Sequence, residues 1–339
     1  MRFLRRGGGD AEQPIEQRLE EFWAWWAGAK DGIAADIERG TIAGRAPEIS
    51  AAVDAVHSKL AWELSPGSSA THALVVSPEG NPEFRPIALR WADSAPPPDA
   101  TWEYHPSRQP GPPQTLEIRG TRVSFSGVRS LAIWDVGREL LDVRIWHPAM
   151  DGLPSEVKGQ IAFLFLDNLV GEDDVERWTG AIDADPEAAA GITPDELRDE
   201  IRRRAASSTG DQWSLIEARD GRNDPVLVRL HSSLKRIDHP FASHHLQVVL
   251  ERGFDTAGDT AEREAIDLAE GELAPALEGV AVEAAHITDR RRRVTHFVCE
   301  DADRALAIAQ AWASRYSRWG SKAMVKADPG WEFRRSYGG

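Results

Sequence analysis

Val280-Ala281-Val282-Glu283-Ala284-Ala285-His286-Ile287-Thr288 is followed, after five charged residues, by Val294-Thr295-His296-Phe297-Val298-Cys299-Glu300. The fold turns on how this stretch is read. Both runs are rich in β-branched and small apolar residues, and the polar break between them suits a turn. They predict two strands, Val280–Thr288 and Val294–Glu300, joined as a hairpin. Working outward, a strand is expected at His245–Glu251 and a helix at Thr260–Leu277 before them. A helix at Ala302–Trp319 and a strand at Lys322–Lys326 come after. The order β-α-β-β-α-β is that of a ferredoxin-like unit, a four-stranded antiparallel sheet with two helices on one face. A further hairpin, Trp213–Ala218 with Val226–Leu230 across Asp220-Gly221, precedes it.

Ser207–Gly210 is the best domain boundary, because the helix before it opens cleanly on Thr193-Pro194-Asp195-Glu196, with Thr as N-cap and Pro at the first helical position. Upstream, Thr115–Trp146 alternates well enough for three or four strands, turning near Gly120, Gly127 and Gly137. A helix follows from Leu153 to Leu169, then a strand over Trp178–Ile182. Gln109–Pro113 is a linker. Before it lie helices at Ile15–Ala29 and Pro47–Leu60, strands at Ala61–Leu64 and Thr71–Ser77, a helix at Phe84–Trp91 and a strand at Thr101–His105. The expected organisation is α+β throughout: a flexible tail over 1–11, a unit over 12–108, a middle unit over 114–206 packed with it, and the ferredoxin-like domain over 211–335.

The 339 residues carry a net charge of −15, and the hydrophobic fraction of 41% is that of a folded chain. Residues 208–339 hold 18 Lys/Arg against 21 Asp/Glu, so the excess acid lies mainly upstream. A field of that sign repels phosphate backbones and anionic lipid, which argues against direct nucleic-acid or membrane partners. The lone Cys299 cannot form an intrachain disulfide or a thiolate metal cage. Neither a signal peptide nor a spanning segment is legible, and the cytoplasm is the compartment implied. Thirteen tryptophans can anchor several small cores.

The C-terminal residues carry a family likeness. A helix with Ala261-Glu262-Arg263-Glu264-Ala265-Ile266-Asp267-Leu268-Ala269-Glu270 is followed by a hairpin ending in Arg293–Cys299. An Ala/Trp-rich helix and Asp328-Pro329-Gly330-Trp331-Glu332-Phe333 complete the set. Over residues 210–335 this resembles a bacterial family of unknown function related in shape to the regulator of ribonuclease E activity B. Phe22–Trp26 and Gly171–Gly180 resemble regions of other bacterial proteins. The resemblance implies a ferredoxin-like domain and an inhibitor-type, protein-binding role. The first two thirds of the chain have no counterpart in that small inhibitor, so its partner does not carry over.

Candidate chemistry is sparse. His239, His244 and His245 form the densest histidine group, but His244 and His245 are neighbours in a strand and leave opposite faces. A two- or four-residue turn would set His286 opposite Thr295 and send His296 to the other side. His286 then shares a face with Val282 and Phe297 and reads as a mostly buried, satisfied histidine. Arg290, Arg291, Arg292 and Arg293 form a basic cluster at a hairpin tip: a solvated turn, or a docking point for an acidic group. The acidic run Glu172, Asp173, Asp174 and Glu176 lacks the spacing of a calcium loop. Trp25 falls about 100° away from the Leu19–Trp23–Trp26 stripe and is a candidate interface anchor. No nucleophile elbow, P-loop or dinucleotide fingerprint occurs, so no catalytic residue, metal or cofactor is expected. The reading that follows is a cytosolic protein that binds a protein partner without catalysis. The alternative is a hydrolase in which His239, His244 or His245 meets carboxylates in one hollow, and an oligomer-forming structural module is a third possibility.

Overall fold

A computed structural model describes residues 13–118, 120–252 and 260–335, and the expected tail over 1–11 lies outside them. The chain divides into two compact units, Met1–Arg108 and Gln109–Gly339. It is mixed helix and sheet, α+β as expected, and among the described residues no helix is long and apolar enough to cross a membrane.

In the first unit α1 (Ile15–Glu38) buries Leu19, Phe22, Trp26 and Ile33, a helical stripe. It runs nine residues past the expected end at Ala29, because apolar spacing continues through Ile33 and Ile37, past Gly28 and Gly32, and the helix stops before Gly40, whose φ is positive. Helix α2 (Ala46–Val56) starts with Pro47 in its first turn and buries Ile49, Val53 and Val56. The strands β1 (Ala61–Pro66), β2 (His72–Ser77) and β3 (Trp102–His105) form one sheet, with α3 (Arg85–Asp93) as the crossover between the parallel pair β2 and β3. Trp26, Trp91 and Trp102 are fully enclosed in the shared core. Glu103, also buried, takes the backbone N–H groups of Ser68, Ser69 and Ala70 and both serine hydroxyls, and so ties the β1–β2 loop to β3. Desolvation resists that charge, but the Ser68 and Ser69 donors outweigh it and hold the carboxyl well below the usual range.

The second unit begins with the hairpin β4 (Thr115–Ile118) and β5 (Thr121–Ser124), then β6 (Arg129–Asp135) antiparallel to β7 (Leu140–Trp146). Helices α4 (Ser155–Val170) and α5 (Glu172–Trp178) carry the chain to β8 (Thr179–Ala184), parallel to β7. The acidic run supplies the first turn of α5, where carboxylates complement the helix dipole. Helix α6 (Pro194–Ser207) opens on a capping box: Thr193 Oγ1 accepts from the Glu196 N–H, and Glu196 accepts from the Thr193 N–H at 2.8 Å.

Then follow β9 (Trp213–Arg219), β10 (Pro225–His231), β11 (His244–Leu250), α7 (Thr260–Gly271), α8 (Leu273–Ala276), β12 (Ala281–Thr288) and β13 (Arg293–Cys299). The chain ends in α9 (Ala302–Arg315), β14 (Lys322–Ala327) and α10 (Glu332–Arg335). All six strands join one antiparallel sheet in the order β14-β11-β13-β12-β10-β9. Leu246, Val248, Leu250 and Phe297 point to the face covered by α7 and α9, where Ile266, Ala309 and Trp312 close the core. The other face presents Ala284 and Val298 to Leu234, Trp331 and Phe333.

One local feature departs from the sequence reading. His286 does pair with Thr295, but a β-bulge inserts Ala284 between the partners of Phe297 and His296. The parity of β12 changes there. Val282 packs with Trp331 and Phe333, while His286 turns to the Phe297 side and stays half-buried.

Candidate functional site

Registration across three strands sets Arg229, His286 and Thr295 side by side on the helix-bearing face. The last turn of α7 leans over them. Together they line a hollow of about 300 Å³ with Glu270, Glu283 and Arg293. The Arg293 guanidinium donates to Asp267 Oδ1 at 2.6 Å and to Glu270 Oε2 at 2.7 Å. Burial opposes its charge, but the two carboxylates more than compensate and raise it above its ordinary value. The other oxygen of Glu270 lies 3.3 Å from His286 Nε2. Glu270 thus bridges a cation from β13 and an imidazole from β12, and each of these three groups holds the others in place.

Glu283 differs from them. It is half-buried in the same hollow, and its carboxylate forms no hydrogen bond or ion pair among the described residues. Desolvation pushes its carboxyl up, against the lowering influence of His286 and Arg229. A preformed, polar hollow with one unsatisfied acid can accept a cation or hold a proton.

On the opposite face the C-terminal motif folds back over two histidines. His245 Nε2 and His296 Nδ1 are 2.8 Å apart, both rings are 1% exposed, and Phe333 stacks on His245 at 4.0 Å between ring centroids. Burial pushes His245 down to about 4 against the opposing pull of Asp328, and burial with the neighbouring His245 pushes His296 down to about 3, so both imidazoles are neutral and one donates to the other. Asp328 stands 3.9 Å from His245 Nδ1 and accepts the N–H groups of Glu332 and Phe333, which fixes the turn carrying Phe333. The Trp331 indole donates to the Ala242 carbonyl at 2.8 Å. Asp328, Trp331 and Phe333 therefore act as a latch over the sheet. In the sequence these residues carry only the likeness to other chains.

The residues singled out from sequence are placed apart. His244 leaves β11 on the side opposite to His245, next to the Ser243 hydroxyl at 3.2 Å, and His239 lies against the Trp331 ring. The three histidines thus have three different surroundings, and of them His245 stands 3.9 Å from a carboxylate, that of Asp328, enclosed beneath Phe333. Arg290 pairs with Asp224 and Arg292 with Asp289, while Arg291 is exposed at the turn. Arg293 is no part of the tip: it is the first residue of β13 and walls the hollow. Trp25 is half-buried against the first core, and its indole donates to Glu48. Cys299 is buried with its thiol pushed up to about 11 by desolvation. Among the described residues no three His, Cys, Asp or Glu side chains gather as a metal site. Glu270 and Glu283 were missed from sequence because neither belongs to a spaced motif. Only α7 packing beside a bulged strand brings them together. No family model, no curated protein and no solved structure matches the chain.

Proposed function

We propose that this protein binds a basic protein partner without catalysis, as a regulator or inhibitor does, and that residues 211–335 are a ferredoxin-like domain resembling the regulator of ribonuclease E activity B. The strand order β14-β11-β13-β12, with α7 and α9 on one face, supports the domain reading. The binding reading rests on Glu283. It is an acid that forms no ion pair in a preformed hollow, though Arg229 and His286 line it too, on a chain whose 55 acids exceed its 40 Lys and Arg. A lysine or arginine side chain of the partner completes the set, and the surplus surface acid steers its approach. The Glu270–His286–Arg293 network has its charges already answered, as suits a rigid wall.

The test is affinity capture by the full chain from a lysate of the source cell at low and high salt, with Glu283→Gln alongside. A basic partner should be retained at low salt, released at high salt, and held about tenfold more weakly by the variant, a single charge-assisted contact. Identical retention by wild type and E283Q, or partners that are not basic, would sink the proposal.

A further inference from the structure

A second hollow, of about 330 Å³, opens beside the segment after β10 and the C-terminal turn, with Arg138, Glu176, Lys235, Arg236, Trp331 and Arg334 in its wall. Its charges do not balance. Arg138 is answered by Asp135 and Asp142, and Arg236 by Glu176. Lys235 and Arg334 are answered by no carboxylate among the described residues. The Lys235 ammonium donates to the carbonyls of Arg138 at 3.2 Å and Glu139 at 2.9 Å, and the Arg334 guanidinium to those of Leu234 at 2.5 Å and His231 at 3.1 Å.

Buried charges are ordinarily paired, because removing an ion from water without a counter-ion is costly. Lys235 is only 9% exposed. Burial, with the charge of Arg334 second, presses its ammonium down to about 8 despite the opposing pull of Glu139 and Asp238, and burial presses Arg334 to about 10. Two uncompensated cations beside one hollow are the reverse of what a chain of net charge −15 supplies by default. Donors also remain: an ammonium has three N–H bonds and a guanidinium five, and each group uses two in these contacts. The face of Trp331 lies near Arg334 and gives the hollow an apolar flank, and the Lys235 ammonium lies over the Trp178 ring.

We infer that this hollow is an oxyanion site, taking a small organic phosphate or carboxylate whose oxygens bridge Lys235 and Arg334 while its body lies along Trp331. The volume supports a ligand larger than a bare ion. The site is distinct from the Glu283 hollow and stands or falls without it.

Calorimetric titration of the full chain with inorganic phosphate, sulfate and malonate, against potassium chloride at matched ionic strength, tests the assignment. Saturable binding is expected for at least one oxyanion. Phosphate and sulfate binding without malonate points to a phosphate ligand, and malonate alone to a carboxylate. Lys235→Met and Arg334→Gln should each weaken binding at least tenfold. Lys235→Met should leave the melting temperature of the ligand-free protein unchanged or raised, because it deletes an unpaired buried charge; a purely structural lysine would lower it. If K235M does not fold, protection of Lys235 from acylation by the bound oxyanion replaces it. The inference is overturned by an absence of saturable heat, by variants that bind like the wild type, or by acylation of Lys235 at the same rate with and without the anion.

Discussion

The buried imidazole pair makes the C-terminal sheet acid-labile in a window that can be calculated. Folded, His245 holds its proton only below about 4 and His296 only below about 3, whereas in the unfolded chain each takes one up near 6.5. Between those limits the unfolded state binds more protons than the folded one. Stability therefore falls as the pH drops below about 6.5 and keeps falling to the folded values. The groups around the pair are Asp328, which favours charge on His245, and Lys326, His286 and Arg292, which oppose it on one ring or the other. Each ring contributes about 1.4 kcal/mol per pH unit, so moving from pH 6.5 to 4.5 should remove about 5 kcal/mol from the two together. That is comparable to the whole stability of an ordinary domain. Carboxylates contribute little over this interval, because their unfolded values lie near 4.

The perturbation is His245→Phe with His296→Leu, which keeps an aromatic ring against Phe333 and abolishes both titrations. The assay is amide hydrogen exchange of β11 and β13, corrected for intrinsic rates, at pH 6.5 and 4.5. Wild-type opening free energies should drop by about 5 kcal/mol between the two, and those of the variant by far less. His147 and His239 are also lowered by burial and remain in both proteins, so the difference isolates the pair. Equal drops in wild type and variant would refute the reasoning, as would a wild type whose protection is flat across the window.

Three further outcomes rest on single residues. Glu103→Gln should cost about 2–3 kcal/mol and expose the Ser68–Ala70 loop to proteolysis, since the amide cannot serve every donor the carboxylate does; a loop as resistant as the wild type would contradict this. Gly191→Ala places a Cβ 2.1 Å from the Ser130 carbonyl oxygen, where Ser130 and Ile192 form a β-bridge, and a loss of about 1–3 kcal/mol of stability, read by denaturant unfolding, is expected; unchanged stability would contradict this. Cys299 should resist iodoacetamide in the native protein at pH 8 and react only after denaturation, because its buried thiol is pushed up to about 11; prompt native alkylation would disprove that.

The chain order of the C-terminal sheet was legible because its signals are local. Strand runs such as His245–Glu251 and Val294–Glu300 are bounded by turn or charged residues, and Trp312 and Ala309 recur at helical spacing. The opposite orientation of His244 and His245 was legible for the same reason, since it follows from strand alternation alone. The candidate sites were not. Glu270, Glu283 and Arg293 come from three elements, and their meeting depends on how α7 lies on the sheet, which no spacing encodes. Lys235 and Arg334 are 99 residues apart and are joined only by the returning C-terminal turn. Arg293 was misplaced with the hairpin tip because a run of four arginines conceals where the turn ends and the strand begins.

The bulge at Ala284 is the point at which local and long-range requirements meet. In a regular strand Val282 and His286 leave the same face. Val282 is needed beneath Trp331 and Phe333, where an imidazole would be a third ring beside His245 and His296. His286 is needed on the other face, where Glu270 supplies its partner and Arg293 neutralises the excess charge. One extra residue satisfies both, and the residue inserted is alanine, small enough to pack at 0% exposure. Bulges recur beside functional sites because they bend the strand and exchange the faces of the side chains beyond the inserted residue. The same inserted residue that keeps Val282 beneath Trp331 and Phe333 thus sets His286 into the wall of the hollow around Glu283.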